Sequence, residues 1–153
     1  MSVSVDANIL VYASNDIDPA HAVAASLMSR LAEGPDIVYL FWPTILGYLR
    51  IVTHPSILPH PLTPNDATAN IQRLIERPHV RSVGESADFW RLYLDSGGRQ
   101  SRGDAVPDLH LATLLRENGV RILYTRDRGF RRFEFLDVRD PFTTGSARNV
   151  REA

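Results

Sequence analysis

The chain has 153 residues, of which 44% are hydrophobic, and its 17 basic and 18 acidic side chains leave a formal net charge of −1. This length supports one buried core without disulfides or a structural metal. Cysteine and lysine are both absent, which excludes disulfides, thiolate zinc sites, a cysteine nucleophile, a Schiff base and a phosphate-loop lysine. No segment approaches the ~20 apolar residues of a membrane span, so we expect a cytoplasmic protein.

Strand and helix signals alternate along the chain, which is typical of an α/β fold with a parallel sheet and helices on its faces. Apolar segments predict strands at 2–6, 37–41, 79–83, 121–125 and 135–138. Helical periodicity with N-cap, proline and glycine signals predicts helices at 8–13, 19–33, 43–53, 64–77 and 86–94, and a last, largely buried one ending at 118. Asp18 and Thr63 are the predicted N-caps of two of them.

Two segments between these elements are predicted loops, the proline-rich 58–64 and the glycine-containing 96–103. The tail is small and polar. We therefore expect one domain at 1–142 and a disordered segment at 143–153.

Three aspartates stand where a predicted strand ends or a helix begins. Asp6 closes the first strand, Asp108 follows Pro107 at the start of the last helix, and Asp127 follows the strand at 121–125. In an open α/β sheet, ligands bind at the carboxyl edge of the strands. Carboxylates meeting there without cysteine favour a hard divalent cation such as Mg2+ or Mn2+, and such an ion suits phosphodiester hydrolysis.

Each aspartate also has a structural interpretation. Asp6 could cap the helix that follows it. Asp108 lies in a first helical turn, where the helix dipole favours negative charge. Asp127 could close a turn or pair with neighbouring arginines. The coincidence of all three at one predicted edge favours a shared site over three separate structural roles.

The basic residues are all arginine and are unevenly placed. Only Arg30 falls before Leu40, whereas the segment 121–132 contains five arginines and a single aspartate. This density could attract phosphate on an overall neutral protein.

Five stretches, in this order, resemble the PIN-domain ribonucleases and, within them, the VapC toxins of bacterial toxin–antitoxin pairs. They are VDANILVYA at 5–13, HAVAA at 21–25, YLRIVTHP at 48–55, VPDLHLA at 106–112 and LYTRDRGF at 123–130. Each motif is weak alone, but the ordered set is specific for the family.

The resemblance implies a single three-layer α/β/α domain with a mainly parallel sheet, an acidic pocket for Mg2+ or Mn2+, and endonucleolytic cleavage of RNA. It assigns the acidic positions to Asp6, Asp108 and Asp127, and polar positions beside them to Asn8 and Thr125. It also implies a small VapB-type antitoxin as partner and a homodimer. Among the arginines, Arg50, Arg126 and Arg128 are the expected RNA contacts.

The sequence departs from the family at two positions. Many relatives have a glutamate three residues before the position of Arg50, and here that residue is Gly47. A further acid often follows two residues after the position of Asp127, and here it is Gly129. Asp104, four residues before Asp108, is a candidate substitute ligand, although we favour it as the N-cap of the last helix.

Other chemistry is weakly supported. The five histidines show no zinc-ligand spacing. Phe41, Trp42 and Tyr48 could stack on bases, but packing in the core or a dimer is the favoured interpretation. A receiver-like domain using Asp6 is disfavoured because no lysine is present.

Two hypotheses follow. The first is a metal-dependent endoribonuclease acting as the toxin of a toxin–antitoxin pair. The second is a catalytically weakened PIN module that acts by binding RNA or its antitoxin. The glycine at position 47, where many relatives have a glutamate, is the reason to retain this hypothesis.

Overall fold

Five strands, all parallel, form one sheet in the computed structural model, which describes residues 1–143. The strands are β1 (Ser2–Val5), β2 (Ile37–Phe41), β3 (Val80–Val83), β4 (Ile122–Tyr124) and β5 (Asp137–Arg139). Their order across the sheet is β3-β2-β1-β4-β5. Of the disordered segment predicted at 143–153, only Thr143 lies within the described residues.

Within residues 1–143, six α-helices connect and cover these strands. They are α1 (Ala7–Ala13), α2 (His21–Glu33), α3 (Trp42–Val52), α4 (Pro64–Ile75), α5 (Phe89–Tyr93) and α6 (Ala105–Glu117). A wider helical turn, Leu94–Gly98, extends α5, and a short 3-10 helix, Arg128–Arg132, lies between β4 and β5. No helix of residues 1–143 is both long enough and apolar enough to cross a membrane.

The sheet separates two apolar layers because successive strand residues point to opposite faces. In β2, Val38 and Leu40 pack with α1 to α4, whereas Phe41 packs on the other side with α6. In β4, Ile122 and Leu123 divide in the same way. The three-layer α/β/α fold with a parallel sheet is therefore confirmed.

The strand order places a topological switch point between β1 and β4. The chain first moves outward from β1 to β2 and β3, then returns to the other side of β1 to form β4 and β5. Val5 and Tyr124, the last residues of the two strands, are register partners. Ligands of open α/β sheets bind at such a point, beyond the carboxyl ends of the strands.

Three sequence predictions need correction. The N-cap position of α2 is Ala20 and not Asp18. Asp18 lies two residues before that position, and its side chain accepts a hydrogen bond from the Ala20 amide at 2.8 Å. The predicted helix at 86–94 begins only at Phe89, and the helical turn that follows runs through Gly97, whose φ of 107° is readily adopted by glycine. The edge strand is shifted to Asp137–Arg139 because only these residues pair with β4.

Candidate active site

The ends of β1 and β4 bring Asp6 and Thr125 together. The Asp6 amide donates to the Tyr124 carbonyl at 3.0 Å, continuing the strand pairing by one residue. The Thr125 hydroxyl then donates to Asp6 Oδ2 at 2.9 Å. Thr125 is buried at 1% exposure, so this hydroxyl fixes the orientation of the carboxylate from inside the protein.

Asp6 also has the capping role considered above. Its Oδ1 accepts a hydrogen bond from the Ala7 amide at 2.7 Å, at the N-cap position of α1. The two roles coexist because they use different carboxylate oxygens. One oxygen starts the helix, and the other faces Thr125.

Asn8 lies in the first turn of α1 and completes this polar group. Its Nδ2 is 3.4 Å from both Asp6 Oδ2 and Thr125 Oγ1 and donates to them. Its Oδ1 is buried without a hydrogen-bond partner among the described residues. A buried acceptor without a donor is costly, so this oxygen is available to a ligand or a ligand-bound water.

Asp127 begins the turn after β4. Its amide donates to Thr125 Oγ1 at 3.0 Å, and its Oδ1 accepts from the Gly129 amide at 2.8 Å. The turn role considered for Asp127 is therefore present. Asp127 Oδ1 is engaged by the backbone, and Asp127 itself is exposed.

Asp108 approaches from the opposite layer, on α6. Its Oδ2 lies 3.5 Å from Nη1 of Arg132, at the end of the 3-10 helix. The Asp108 side chain is 23% exposed. The site thus has one partly buried carboxylate on each side of the sheet edge, Asp6 and Asp108, with Asp127 near both.

Burial and mutual repulsion act on these carboxylates. Burial is the largest cause of a raised pKa of Asp6, the hydrogen bonds from Thr125 and Ala7 oppose it, and the charges of Asp127 and Asp108 add to it. The pKa of Asp108 is also raised, first by burial and then by the charge of Asp127, against the opposing effect of Arg132. Carboxylates that disfavour each other's ionisation favour a neighbouring cation.

Gly129 sits between two of the carboxylates. An ideal Cβ at this residue would lie 3.0 Å from Asp127 Oδ1 and 3.5 Å from Asp108 Oδ2. The family often has an acid at this position. Gly129 is thus adjacent to the acidic group, but it has no side chain and supplies a backbone amide instead of a carboxylate.

Gly47 lies on α3 against the start of α1. An ideal Cβ there would be 3.8 Å from Ala7 Cβ, an ordinary van der Waals contact. Because Ala7 directly follows Asp6, α3 runs beside the acidic group, as the family resemblance implied. A methyl group at this position would fit.

Asp104 occupies the N-cap position of α6, but its side chain makes no capping hydrogen bond. Asp104 therefore has the predicted position, but the hydrogen bond on which the capping prediction depends is not made. Asp104 is exposed, and its negative charge makes a small contribution to the raised pKa of Asp108.

The arginines expected to bind RNA lie in different surroundings. The Arg126 guanidinium sits over the rings of Tyr12, at 5.5 Å, and Phe142, at 5.1 Å. Arg128 is exposed in the turn after Asp127. Arg50 lines a separate cavity of about 270 Å3 between α3 and α4, away from the aspartates.

The aromatic residues considered for base stacking are mostly core residues. Phe41 and Tyr48 are fully buried, which agrees with the favoured packing interpretation, whereas Trp42 is 43% exposed. Two of the histidines bond to backbone carbonyls of neighbouring elements, His21 to Tyr12 and His79 to Leu31.

The contact of Arg132 with Asp108 was missed by sequence reasoning. The sequence placed Arg132 in a basic segment, but the contact depends on the 3-10 helix Arg128–Arg132, whose formation no motif signalled. Arg132 Nη1 also donates to the Gly129 carbonyl at 3.2 Å.

Within residues 1–143, no three histidine, cysteine, aspartate or glutamate side chains are grouped closely enough to hold a metal ion as they stand. The aspartates are neighbours rather than an assembled coordination shell. A cavity of about 600 Å3 lies elsewhere, between α2 and the ends of β4 and β5, and none of the three aspartates lines it.

The chain is 45% identical over 144 residues to Ribonuclease VapC48 of Mycobacterium tuberculosis (strain ATCC 25618 / H37Rv), and the alignment covers 94% of this chain and 99% of the relative. The chain belongs to the VapC ribonuclease family. No protein-family model matches it.

Solved structures of VapC proteins share the fold. M. tuberculosis VapC20, described as a sarcin-ricin loop cleaving toxin, has a TM-score of 0.67 at 20% identity, covering 90% of this chain and 99% of that chain. VapBC2 from Rickettsia felis, bound to a DNA fragment from their promoter, has a TM-score of 0.65 at 16% identity, covering 91% and 98%.

Proposed function

We propose that this VapC-family protein is a divalent-metal-dependent endoribonuclease that acts as the toxin of a toxin–antitoxin pair. The observation that carries the proposal is the meeting of Asp6, Asp108 and Asp127 beyond the ends of β1 and β4, where burial and mutual repulsion raise the pKa values of Asp6 and Asp108. Family membership supports RNA as the substrate class.

The residues present fit Mg2+ or Mn2+ by their chemistry. Carboxylate oxygens are the ligands that these hard cations prefer, and the buried, unpartnered Asn8 Oδ1 offers a further acceptor for a water of such an ion. Asp6, Asp108 and Asp127 would hold the ion, with Asp104 as a peripheral fourth carboxylate. A bound ion supplies charge stabilisation for the phosphoryl oxygens and lowers the pKa of an attacking water.

The chain's own residues orient this chemistry. Thr125 and Asn8 hold the Asp6 carboxylate in one direction, and the Gly129 amide holds that of Asp127. Because the carboxylates of the described residues are not grouped closely enough to hold an ion as they stand, metal loading would bring these side chains closer together.

RNA binding at an acidic pocket needs cationic surface nearby, because carboxylates alone repel phosphate. Arg126 and Arg128 flank Asp127 in the chain and are exposed, which supports them as phosphate contacts. Arg50 is a weaker candidate because it lines a cavity with residues of α4.

A small VapB-type antitoxin is the proposed partner, and the likeness to VapBC2 of Rickettsia felis supports it. A homodimer in the cytoplasm is the proposed state. Trp42 and Leu46, one turn apart on α3, are 43% and 62% exposed, and such apolar exposure supports a protein interface on this helix.

The test is RNA cleavage by purified, antitoxin-free protein. Total cellular RNA incubated with the protein and Mg2+ or Mn2+ should acquire new, discrete ends, which sequencing of those ends would map. Asp108→Asn should abolish these ends, and chelator should do the same. Equal cleavage by the variant, or by the parent protein in excess chelator, would refute the proposal.

A weakened module that acts by binding is the second candidate. It is favoured by one specific observation, the Arg132 guanidinium beside Asp108, together with the missing side chain at Gly47. RNA or antitoxin binding without any cleavage in either metal would select it.

A further inference from the structure

A second cavity, of about 220 Å3, adjoins the acidic group on the α6 side of the sheet. We call it the arginine pocket. Its wall includes Ser96, Ala112, Arg116, Arg132, Phe133 and Phe135. Two cationic side chains, two aromatic rings, a hydroxyl and a small apolar floor are thus gathered beside the proposed catalytic carboxylates.

One face of α6 connects the acidic group to this pocket. Asp108, Ala112 and Arg116 are spaced four residues apart and therefore lie along one side of the helix. The helix rises ~12 Å from the first to the last of them. Ala112, between the carboxylate and the guanidinium on this face, lines the pocket with a small side chain.

Arg132 stands at the boundary between the two sites. Its Nη1 lies 3.5 Å from Asp108 Oδ2 and donates to the Gly129 carbonyl, and its guanidinium carbon is 4.5 Å from the centre of the Phe133 ring. The side chain remains 43% exposed. A guanidinium has five N–H donors, so these contacts fix its position and leave donors for a ligand.

Arg116 is held in the same manner at the far end. Its guanidinium carbon lies 4.8 Å from the centre of the Phe135 ring, and Nη1 donates to Ser96 Oγ at 3.4 Å. Both cations are therefore positioned over aromatic rings rather than free in solvent. This lowers the conformational entropy lost when they bind a ligand.

The residues that line the pocket favour a ligand that carries negative charge and a planar ring. Glu134 is the single acidic residue of the wall against two guanidiniums, so the pocket favours negative charge. The planes of arginine and phenylalanine stack on nucleobases in single-stranded RNA recognition. Leu109 and Ala112 form the apolar floor of the pocket and are themselves buried, each at 2% exposure.

We propose that the arginine pocket binds the nucleotide that flanks the scissile phosphate of single-stranded RNA, with Arg132 and Arg116 contacting successive backbone phosphates. The assignment rests on the proposed function, because it takes RNA as the substrate. It adds a binding subsite, so the affinity of the enzyme for its RNA substrate would depend on residues at the surface of α6.

The experiment measures binding of a short, fluorescently labelled single-stranded RNA of mixed sequence to the full chain in chelator, over a series of salt concentrations. Arg116→Gln and Arg132→Gln should each weaken binding several-fold and flatten the dependence of log affinity on log salt by about one unit. Arg73→Gln is the matched control, since Arg73 lies on α4, in the layer opposite α6. It should leave both quantities unchanged.

Ala112→Leu tests occupancy of the pocket separately from charge. The larger side chain should fill the floor and weaken RNA binding without changing the salt slope. Ala112 is buried, so this variant could fail to fold, and exposed Arg116 keeps the proposal testable in that case. Unchanged affinity and slope in Arg116→Gln and Arg132→Gln would overturn the subsite, as would a parent protein that does not bind the RNA.

The two proposals fail differently. Binding that depends on Arg116, without RNA cleavage in Mg2+ or Mn2+, would refute the nuclease and leave the arginine pocket as an RNA-binding site without a scissile phosphate beside it. Cleavage with RNA binding that is indifferent to both arginines would keep the nuclease and refute the subsite. If these variants lost only the antitoxin, the pocket would belong to a protein partner and the RNA assignment would be wrong.

Discussion

At the scale of single residues, one hydroxyl organises the candidate site. Thr125 donates to Asp6 Oδ2, accepts from the Asp127 amide at 3.0 Å, and is within 3.4 Å of Asn8 Nδ2. It also acts against burial to hold down the pKa of Asp6. One side chain thus links the end of β4 with two of the three aspartates.

Replacing this hydroxyl should cost stability. Thr125→Val keeps the shape but leaves the Asp127 amide without its acceptor, and we expect the free energy of unfolding to fall by ~1–3 kcal/mol. Thr125→Ser keeps the hydroxyl and is the control, with a smaller loss from the missing methyl group. Urea denaturation followed by circular dichroism measures both. A valine variant as stable as the serine variant would mean that these hydrogen bonds contribute little.

Asp104 gives a second prediction at this scale. Because its side chain makes no capping hydrogen bond, Asp104→Asn should leave the free energy of unfolding within ~0.5 kcal/mol of the parent. Its charge reaches Asp108, so calorimetric titration should show weaker Mn2+ binding, with a smaller loss than in Asp108→Asn. Asp104→Ala removes any capping oxygen, so a destabilisation of ~1 kcal/mol in that variant, with unchanged Mn2+ affinity in Asp104→Asn, would restore the capping role.

At the scale of elements, the sequence predicted those with strong local signals. The bounds of β2 match because apolar, β-branched and aromatic residues fill a short run before a helix. Thr63 caps α4 as predicted, accepting from the Asp66 amide at 3.1 Å. Local chemistry determines both features, so no knowledge of tertiary contacts was needed.

Tertiary contacts decided the elements that the sequence misplaced. The glycines at 97 and 98 suggested a loop, yet the helical turn continues through them beside α6. The shifted edge strand and the 3-10 helix Arg128–Arg132 likewise depend on packing. Asp6 and Asp127 were predicted to lie close together because parallel strands align their carboxyl ends, and Asp108 because it begins a helix at the same edge. The Arg132 contact could not be predicted from spacing.

Helix α3 carries the prediction on the missing glutamate. Gly47→Glu should tighten Mn2+ binding and raise the RNA cleavage rate, because the position faces Ala7 beside Asp6 and a Cβ there makes only ordinary van der Waals contact. Gly47→Ala is the matched control and adds helix propensity alone, raising the free energy of unfolding by ~0.5–1 kcal/mol.

Calorimetry and a cleavage time course would compare the two Gly47 variants. Equal metal affinity in the glutamate and alanine variants would place the side chain away from the acidic group. A less stable alanine variant would show that α1 and α3 cannot accommodate the added methyl group.

At the scale of the whole molecule, topology assembles the site from both halves of the chain. The central strands β1 and β4 contribute Asp6 and Thr125 at the switch point. Helix α6, which packs on one face of the sheet, contributes Asp108. Arg132 contacts Asp108 and Arg126 directly precedes Asp127 in the chain, and in the proposed function such arginines would supply the positive potential that attracts RNA to an acidic pocket. The net charge of −1 therefore conceals an uneven distribution of acidic and basic side chains, which agrees with the proposed metal-dependent nuclease.

The most direct test of this account measures Mn2+ binding and RNA cleavage side by side in antitoxin-free protein. Asp6→Asn and Asp108→Asn should remain folded, bind Mn2+ much more weakly and lose cleavage together. Asp36→Asn is the control, because Asp36 directly precedes β2, at the amino-terminal end of the strands and away from their carboxyl ends. This variant should behave as the parent protein does. Retained Mn2+ affinity or undiminished cleavage in the Asp6 and Asp108 variants would contradict the central claim that these carboxylates form the metal site.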